Sequence, residues 1–121
     1  MNDRDKKEIL DFLANDKQLH RDKLLSLLNA LSSQLNYKIK IQRASIQLIH
    51  RRPFAVIGFR RKANCFFVEF YNDRIIESDR VIKTNQRDSF IIHTVNVSML
   101  SDIDDDLLEW MKHSSELVDT D

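Results

Sequence analysis

Apolar residues recur at helical spacing through residues 1–36 of the chain. A first helix is predicted from Asn2 or Asp3, either of which can cap it, to about Ala14. A second helix is predicted from about Lys17 to Leu35. The apolar positions that mark the buried sides of these two helices are Ile9, Leu10, Phe12 and Leu13, then Leu24, Leu27, Leu28, Leu31 and Leu35.

From Tyr37 onward the apolar positions alternate with a period of two, which indicates β-strands. The parity of the apolar positions changes between Ile41 and Ile46, and this change suggests a break or bulge near Arg43. Residues 37–98 are therefore predicted to form a sheet.

The most apolar strand is predicted at residues 54–59, where both parities are apolar. This pattern is typical of a central strand that is covered on both faces. Further strands are predicted at residues 65–71 and 90–97, where apolar residues occupy alternate positions. Residues 74–86 show only short apolar pairs among charges, with no regular period.

A last helix is predicted over residues 101–118, with Ser101 as its N-cap and aspartates in its first turn. Its buried side is marked by Ile103, Leu107, Met111 and Val118. The predicted fold class is α+β: an antiparallel sheet of about four to five strands, with two N-terminal helices and one C-terminal helix packed on it. A chain of 121 residues fits a single domain, spanning residues 1–121.

Composition narrows the expected compartment. The single cysteine, Cys65, excludes an internal disulfide, so nothing points to an oxidising environment. The longest apolar run, residues 53–59, is far shorter than the ~20 residues that a membrane helix needs. No membrane insertion is predicted, and the cytoplasm is the expected location.

A formal net charge of zero hides a strong segregation of charge. Residues 37–63 contain eight basic and no acidic residues, whereas residues 99–121 contain eight acidic residues and one lysine. Such asymmetry is one mark of an anion-binding surface. Solvated turns are favoured over that interpretation, because Arg52 precedes and Arg60 follows a strand whose ends are ~20 Å apart. The basic residues are Lys38, Lys40, Arg43, Arg51, Arg52, Arg60, Arg61 and Lys62.

No cofactor and no metal site is predicted. The four histidines are far apart, and no cysteine or histidine pair has the spacing of zinc ligands. The alternating aspartates that begin at Asp102 resemble a calcium loop, but Leu107 stands where that loop needs glycine and His113 where it needs glutamate. Glycine-rich phosphate loops and dinucleotide fingerprints are excluded because Gly58 is the only glycine.

Two residues are weighed for catalysis. Cys65 borders an apolar strand, where an inert buried thiol is favoured over a nucleophile. His93 lies between Ile92 and Thr94 on a predicted core strand, so a hydrogen-bonded structural histidine is favoured over a catalytic one. No catalytic residue is assigned.

One short segment matches an RNA-binding signature. Phe67-Val-Glu-Phe70 reproduces the end of the RNA-recognition motif. The positions before it do not fit, since Asn64 replaces a glycine, and no helix is predicted between the middle strands. The match is interpreted as chance.

Four stretches carry a resemblance to a known family: residues 49–55 with 60–62, residues 80–83, His93 with Val95, and the aspartate-rich residues 102–110. In their order and spacing, residues 44–118 resemble the small bacterial proteins called domain of unknown function 5655, which are also labelled predicted transport proteins. Residues 112–116 depart from that family's usual ending. The resemblance implies a compact α+β domain with a curved antiparallel sheet. It also implies an anion or small-ligand site where the matching polar positions converge, namely Arg52, Arg80, Lys83, His93 and Trp110.

Three functional hypotheses follow. The first is a non-catalytic binding module for an anionic ligand or nucleic acid. The second is a homodimer that pairs an edge strand or buries Trp110, and the third is a small enzyme with His93, Glu69 or Cys65 in one cleft. The residues predicted for the ligand site of the first are Arg52, Arg60, Lys62, Arg80, Lys83, His93 and Trp110.

Overall fold

The computed structural model describes residues 2–14, 20–60 and 65–119. Within them lie three α-helices and six β-strands, and a short 3-10 turn joins the last strand to the last helix. The helices are α1 (Asp3–Phe12), α2 (Arg21–Ser32) and α3 (Asp105–Asp119). The strands are β1 (Lys38–Ile41), β2 (Ser45–Ile49), β3 (Pro53–Phe59), β4 (Phe66–Asn72), β5 (Val81–Arg87) and β6 (Phe90–Val97).

The six strands form one antiparallel sheet in the order β1-β2-β3-β4-β6-β5, which confirms the predicted α+β class. The predicted number of four to five strands is wrong. The parity change after Ile41 marks a tight turn between β1 and β2, because Ile41 pairs with Ile46 across a hairpin. The irregular residues 74–86 contain most of β5, an edge strand whose residues from Ile82 to Arg87 are all exposed.

All three helices pack against one face of the sheet. A row of fully buried residues crosses that face from Ile46 through Ile57 and Val68 to Val95. Apolar residues of the three helices join the same core cluster: Ile9, Leu24, Leu27, Leu28, Leu31, Leu107, Leu108, Met111 and Val118. The opposite side of the sheet, called the open face below, is covered by none of the three helices. The prediction that residues 54–59 are covered on both faces is therefore wrong.

A β-bulge explains why that strand looked apolar on both parities. Leu48 pairs with Ala55 and Ile49 with Pro53, so Phe54 is an extra residue in β3. The bulge lets Phe54 and Ala55 both enter the core, where both are buried. In its sequence pattern, an apolar strand that contains a bulge thus looks like a strand that is buried on both faces.

A second bulge decides which way the edge strand faces. Val81 pairs with Val95, which is a core position, but Lys83 pairs with Thr94, so Ile82 is the extra residue. Beyond the bulge Lys83, Asn85 and Arg87 lie on the open face of the sheet. If Ile82 were paired regularly instead of bulged, the side-chain period of two would place them on the helix-covered face, with Val81.

The last helix begins later than predicted. Asp104, and not Ser101, caps α3, because its carboxylate accepts a hydrogen bond from the Leu107 N–H at 3.0 Å. The 3-10 turn Leu100–Asp102 precedes this cap. Among the described residues, no helix has the length and apolar character needed to cross a membrane.

Candidate functional site

The residues predicted for a ligand site divide between the two sides of the sheet. Arg80, His93 and Trp110 lie on the helix-covered side, where they converge. Arg60 and Lys83 line a depression on the open face. Arg52 lines a second depression near the start of β3, and Lys62 lies outside the described residues.

On the helix-covered side, four side chains form a column that we call the buried stack: His93, Phe70, Trp110 and Arg80. The Phe70 ring lies nearly parallel to both rings beside it, with centroids 5.8 Å from His93 and 5.9 Å from Trp110. The Arg80 guanidinium lies 5.8 Å from the Trp110 centroid. Trp110 is half-buried, and both Phe70 and Arg80 lie against its ring.

His93 has both ring nitrogens bonded within the protein. Its side chain is 0% exposed, and the Ile76 N–H donates to Nε2 at 3.0 Å. Since Nε2 accepts, the proton of the neutral ring is on Nδ1, which donates to the Ile91 carbonyl at 3.1 Å. Desolvation by burial lowers the pKa of His93, and the Ile91 carbonyl opposes this. His93 therefore serves as a neutral structural residue.

Arg80 is bonded in the same way. Its Nη1 lies 2.7 Å from both carboxylate oxygens of Asp104, and its Nη2 donates to the Asp102 carbonyl. Desolvation raises the pKa of Asp104, but the Leu107 N–H and Arg80 together hold it below its ordinary value. Part of the acidic C-terminal segment thus serves to fix Arg80 and to cap α3.

The residues proposed for catalysis do not share a cleft. His93 is buried on the helix-covered side, whereas Glu69 lies on the open face. Cys65 is buried just before β4. Among the described residues, no group of three or more His, Cys, Asp or Glu side chains is placed to hold a metal ion.

We expect His93 to make folding sensitive to mild acid. Its pKa is lowered in the folded state, so the unfolded chain binds the additional proton and stability falls as pH drops below the ordinary value of 6.5. One such group changes the free energy of unfolding by at most ~1.4 kcal/mol per pH unit. His93→Gln keeps an acceptor for the Ile76 N–H but does not titrate. Urea unfolding from pH 7.5 to 5.5 should show a smaller loss in the variant, and parallel losses would contradict the assignment.

The open face carries a basic depression of about 280 Å³ across β4, β6 and β5. Three of its side chains are cations, Arg60, Lys83 and Arg87, and one is an acid, Glu69. Lys83, Arg87 and Glu69 make no side-chain hydrogen bond or ion pair within the described part of the chain. Their charges are therefore available to a ligand. Polar and apolar neighbours complete the lining: Phe67, Asn85, Ile92 and Thr94.

Gly58 shapes this surface. It lies opposite Phe67 on β4, and a β-carbon there would come within 2.1 Å of the ring. The missing side chain lets the Phe67 ring lie across the backbone of β3. The Arg60 guanidinium lies 5.0 Å from the ring centroid, and its Nε donates to the Asn96 side chain at 3.0 Å. Arg60 is thus held over an aromatic ring at a fixed place.

Arg87 is the cation that the sequence analysis did not single out. It lines the basic depression and two neighbouring ones, of about 110 and 430 Å³. The larger neighbour also includes Arg52, Tyr71 and Phe90. Arg52 and Arg60 flank β3 at opposite ends, and Arg87 connects the two regions. All residues from Lys83 to Arg87 are polar, so no pattern in the sequence indicated which way Arg87 faces.

No protein-family model matches the chain, and no curated protein or solved structure is significantly similar to it. The resemblance to domain of unknown function 5655 stays a prediction.

The homodimer also stays a prediction. The edge strand β5 does offer an exposed edge, but it carries a bulge and two cations, which are features that oppose pairing between edges.

Proposed function

We propose that this protein is a non-catalytic binding module for anionic ligands and that the open face is its binding surface. One observation carries the proposal: Arg60, Lys83 and Arg87 line one depression on the open face, where Glu69 is the one acid among the described residues of the lining. An expected cytoplasmic location is compatible with either a phosphorylated metabolite or a nucleic acid as ligand.

The contrast between the two sides of the sheet supports binding on the open face. On the helix-covered side, the polar atoms of Arg80 and His93 already bond to protein groups. On the open face, Lys83 and Arg87 have no such partners among the described residues. An anion that reaches Lys83 and Arg87 therefore displaces no partner from the described part of the chain, which lowers the cost of binding.

Removing two of these charges should weaken binding of polyanions. The double variant Lys83→Gln/Arg87→Gln leaves the core untouched, because both side chains are exposed. Binding of sodium polyphosphate and of a labelled single-stranded oligonucleotide is measured at several salt concentrations. Two fewer phosphate contacts should reduce the slope of log affinity against log salt by ~1–2 and the affinity at low salt by about tenfold or more.

The matched control removes the same charge from the helical layer. Lys6 and Lys7 are exposed on α1, so Lys6→Gln/Lys7→Gln changes the net charge equally but leaves the open face intact. The control should bind almost as well as the unmodified protein. Equal losses in the two double variants, or no binding of either probe at low salt, would overturn the proposed function.

A further inference from the structure

We infer that the anion bound by the open face is a single-stranded nucleic acid, with a base stacked at Arg60 and phosphates at Lys83 and Arg87. This inference rests on the proposed function and specifies its ligand. It is carried by aromatic rings and planar groups that accompany the cations on the same face. A surface that selects phosphate alone would not need these rings.

The first stacking position is Arg60. A guanidinium is planar and stacks on bases as well as on aromatic rings. Phe67 supports Arg60 from beneath, and the hydrogen bond to Asn96 limits its rotation. The group is thus ordered before the ligand arrives, which reduces the entropy lost on stacking.

A second aromatic position lies further along the same strand. Tyr71 follows Phe67 by four residues on β4, a separation of ~13 Å. Its ring centroid lies 5.9 Å from that of Phe90, and both side chains line the larger depression. Two aromatic positions at this separation suit a chain of several nucleotides better than a single nucleotide.

The cations form a row parallel to these aromatic positions. Lys83, Asn85 and Arg87 alternate along β5, which lies two strands away from β4 at ~10 Å. Bases that stack near β4 would direct their phosphates to one side, and β5 supplies cations on one side of β4. The arrangement follows the general way in which proteins bind single strands, with stacking surfaces beside a basic track.

Glu69 distinguishes this ligand from a simple polyanion. It pairs with Thr94 in the sheet and lies on β4 between Phe67 and Tyr71, within the aromatic row. A carboxylate repels phosphate, but it accepts hydrogen bonds from the amino groups of bases. A duplex, whose bases are already stacked and paired, could not place a base on the stacking positions.

The decisive variant is Arg60→Lys, which keeps the positive charge but removes the planar group. The probes are a labelled single-stranded oligonucleotide of about ten nucleotides, as RNA and as DNA, the corresponding duplex, and sodium polyphosphate. Fluorescence anisotropy should show single strands bound at least about tenfold more tightly than the duplex. Arg60→Lys should remove most of that preference and leave polyphosphate affinity unchanged. Phe67→Leu, which removes the ring beneath Arg60, should act in the same direction.

The possible outcomes separate this inference from the proposed function. Polyphosphate bound as tightly as the single strand would overturn the inference and leave the proposed function intact. Equal weakening of both ligands by Arg60→Lys would also overturn it. No binding of any probe would overturn both. Thermal unfolding of each variant shows whether a loss of binding reflects a loss of fold.

Discussion

Replacing Phe70 with alanine is expected to lower the free energy of unfolding by about 3–5 kcal/mol, the range for a fully buried phenylalanine. Phe70 is 1% exposed and is the central ring of the buried stack. Its loss leaves a cavity that His93 and Trp110 cannot fill, because His93 is hydrogen-bonded at both nitrogens and Arg80 lies over Trp110. A domain of this size has ~5–15 kcal/mol of stability in total.

Phe67→Ala is the matched control, with the same change three residues away on the same strand but on the open face. Phe67 is half-buried, and its ring lies against Gly58 and beneath Arg60. We therefore expect less than half the loss seen for Phe70→Ala. Urea unfolding followed by far-ultraviolet circular dichroism measures both. Similar losses in the two variants would contradict a core that lies on one side of the sheet.

Replacing Ser114 with alanine is expected to cost about 2–4 kcal/mol, a large effect for the removal of one oxygen atom. The Ser114 hydroxyl is fully buried and donates to the Phe54 carbonyl at 2.7 Å. It also accepts from the Tyr71 N–H at 2.9 Å. Pairing between β3 and β4 starts at Ala55, so the hydroxyl satisfies two backbone groups that the bulged end of β3 leaves unpaired. Each such group costs ~1–3 kcal/mol when it is buried without a partner.

Ser115→Ala on the same helix is the control for this effect. Ser115 is also buried, but its hydroxyl donates only to the Lys112 carbonyl one turn earlier. Loss of that bond is expected to change stability by less than ~1 kcal/mol, since alanine is a better helix former than serine. If Ser114→Ala cost no more than this, the backbone groups of Phe54 and Tyr71 would not depend on the Ser114 hydroxyl for their hydrogen bonds. Chemical denaturation of the two variants under identical conditions makes the comparison.

The fold class and most elements could be predicted because buried strands carry apolar residues at alternate positions. The exceptions have physical reasons. In β5 the residues Ile82 to Arg87 are exposed, so hydrogen bonds to β6 form the strand without an apolar pattern. The parity change between Ile41 and Ile46 is equally compatible with a bulge and a hairpin, and only the pairing of these two residues distinguishes them.

The site could be predicted only in part, because the sequence does not show which polar residues find hydrogen-bond partners in distant parts of the chain. Arg80, His93 and Trp110 do lie together, but Lys83 and Arg52 line depressions elsewhere, and the partners of Arg80 and His93 are protein groups. Lys83 faces solvent, and Arg60 lies over Phe67 on the same face. Arg87 was missed because its direction depends on a bulge that no apolar residue signals.

The bulge at Ile82 means that the charge of the open face depends on the pairing of β5 as well as on the identity of its residues. If the strand paired regularly through Ile82, the outward set would be Thr84 and Gln86 instead of Lys83 and Arg87. The amino-acid sequence of the strand would be unchanged, while the electrostatic character of the surface would be lost. A single irregularity in the backbone therefore determines whether this edge of the sheet is cationic or neutral.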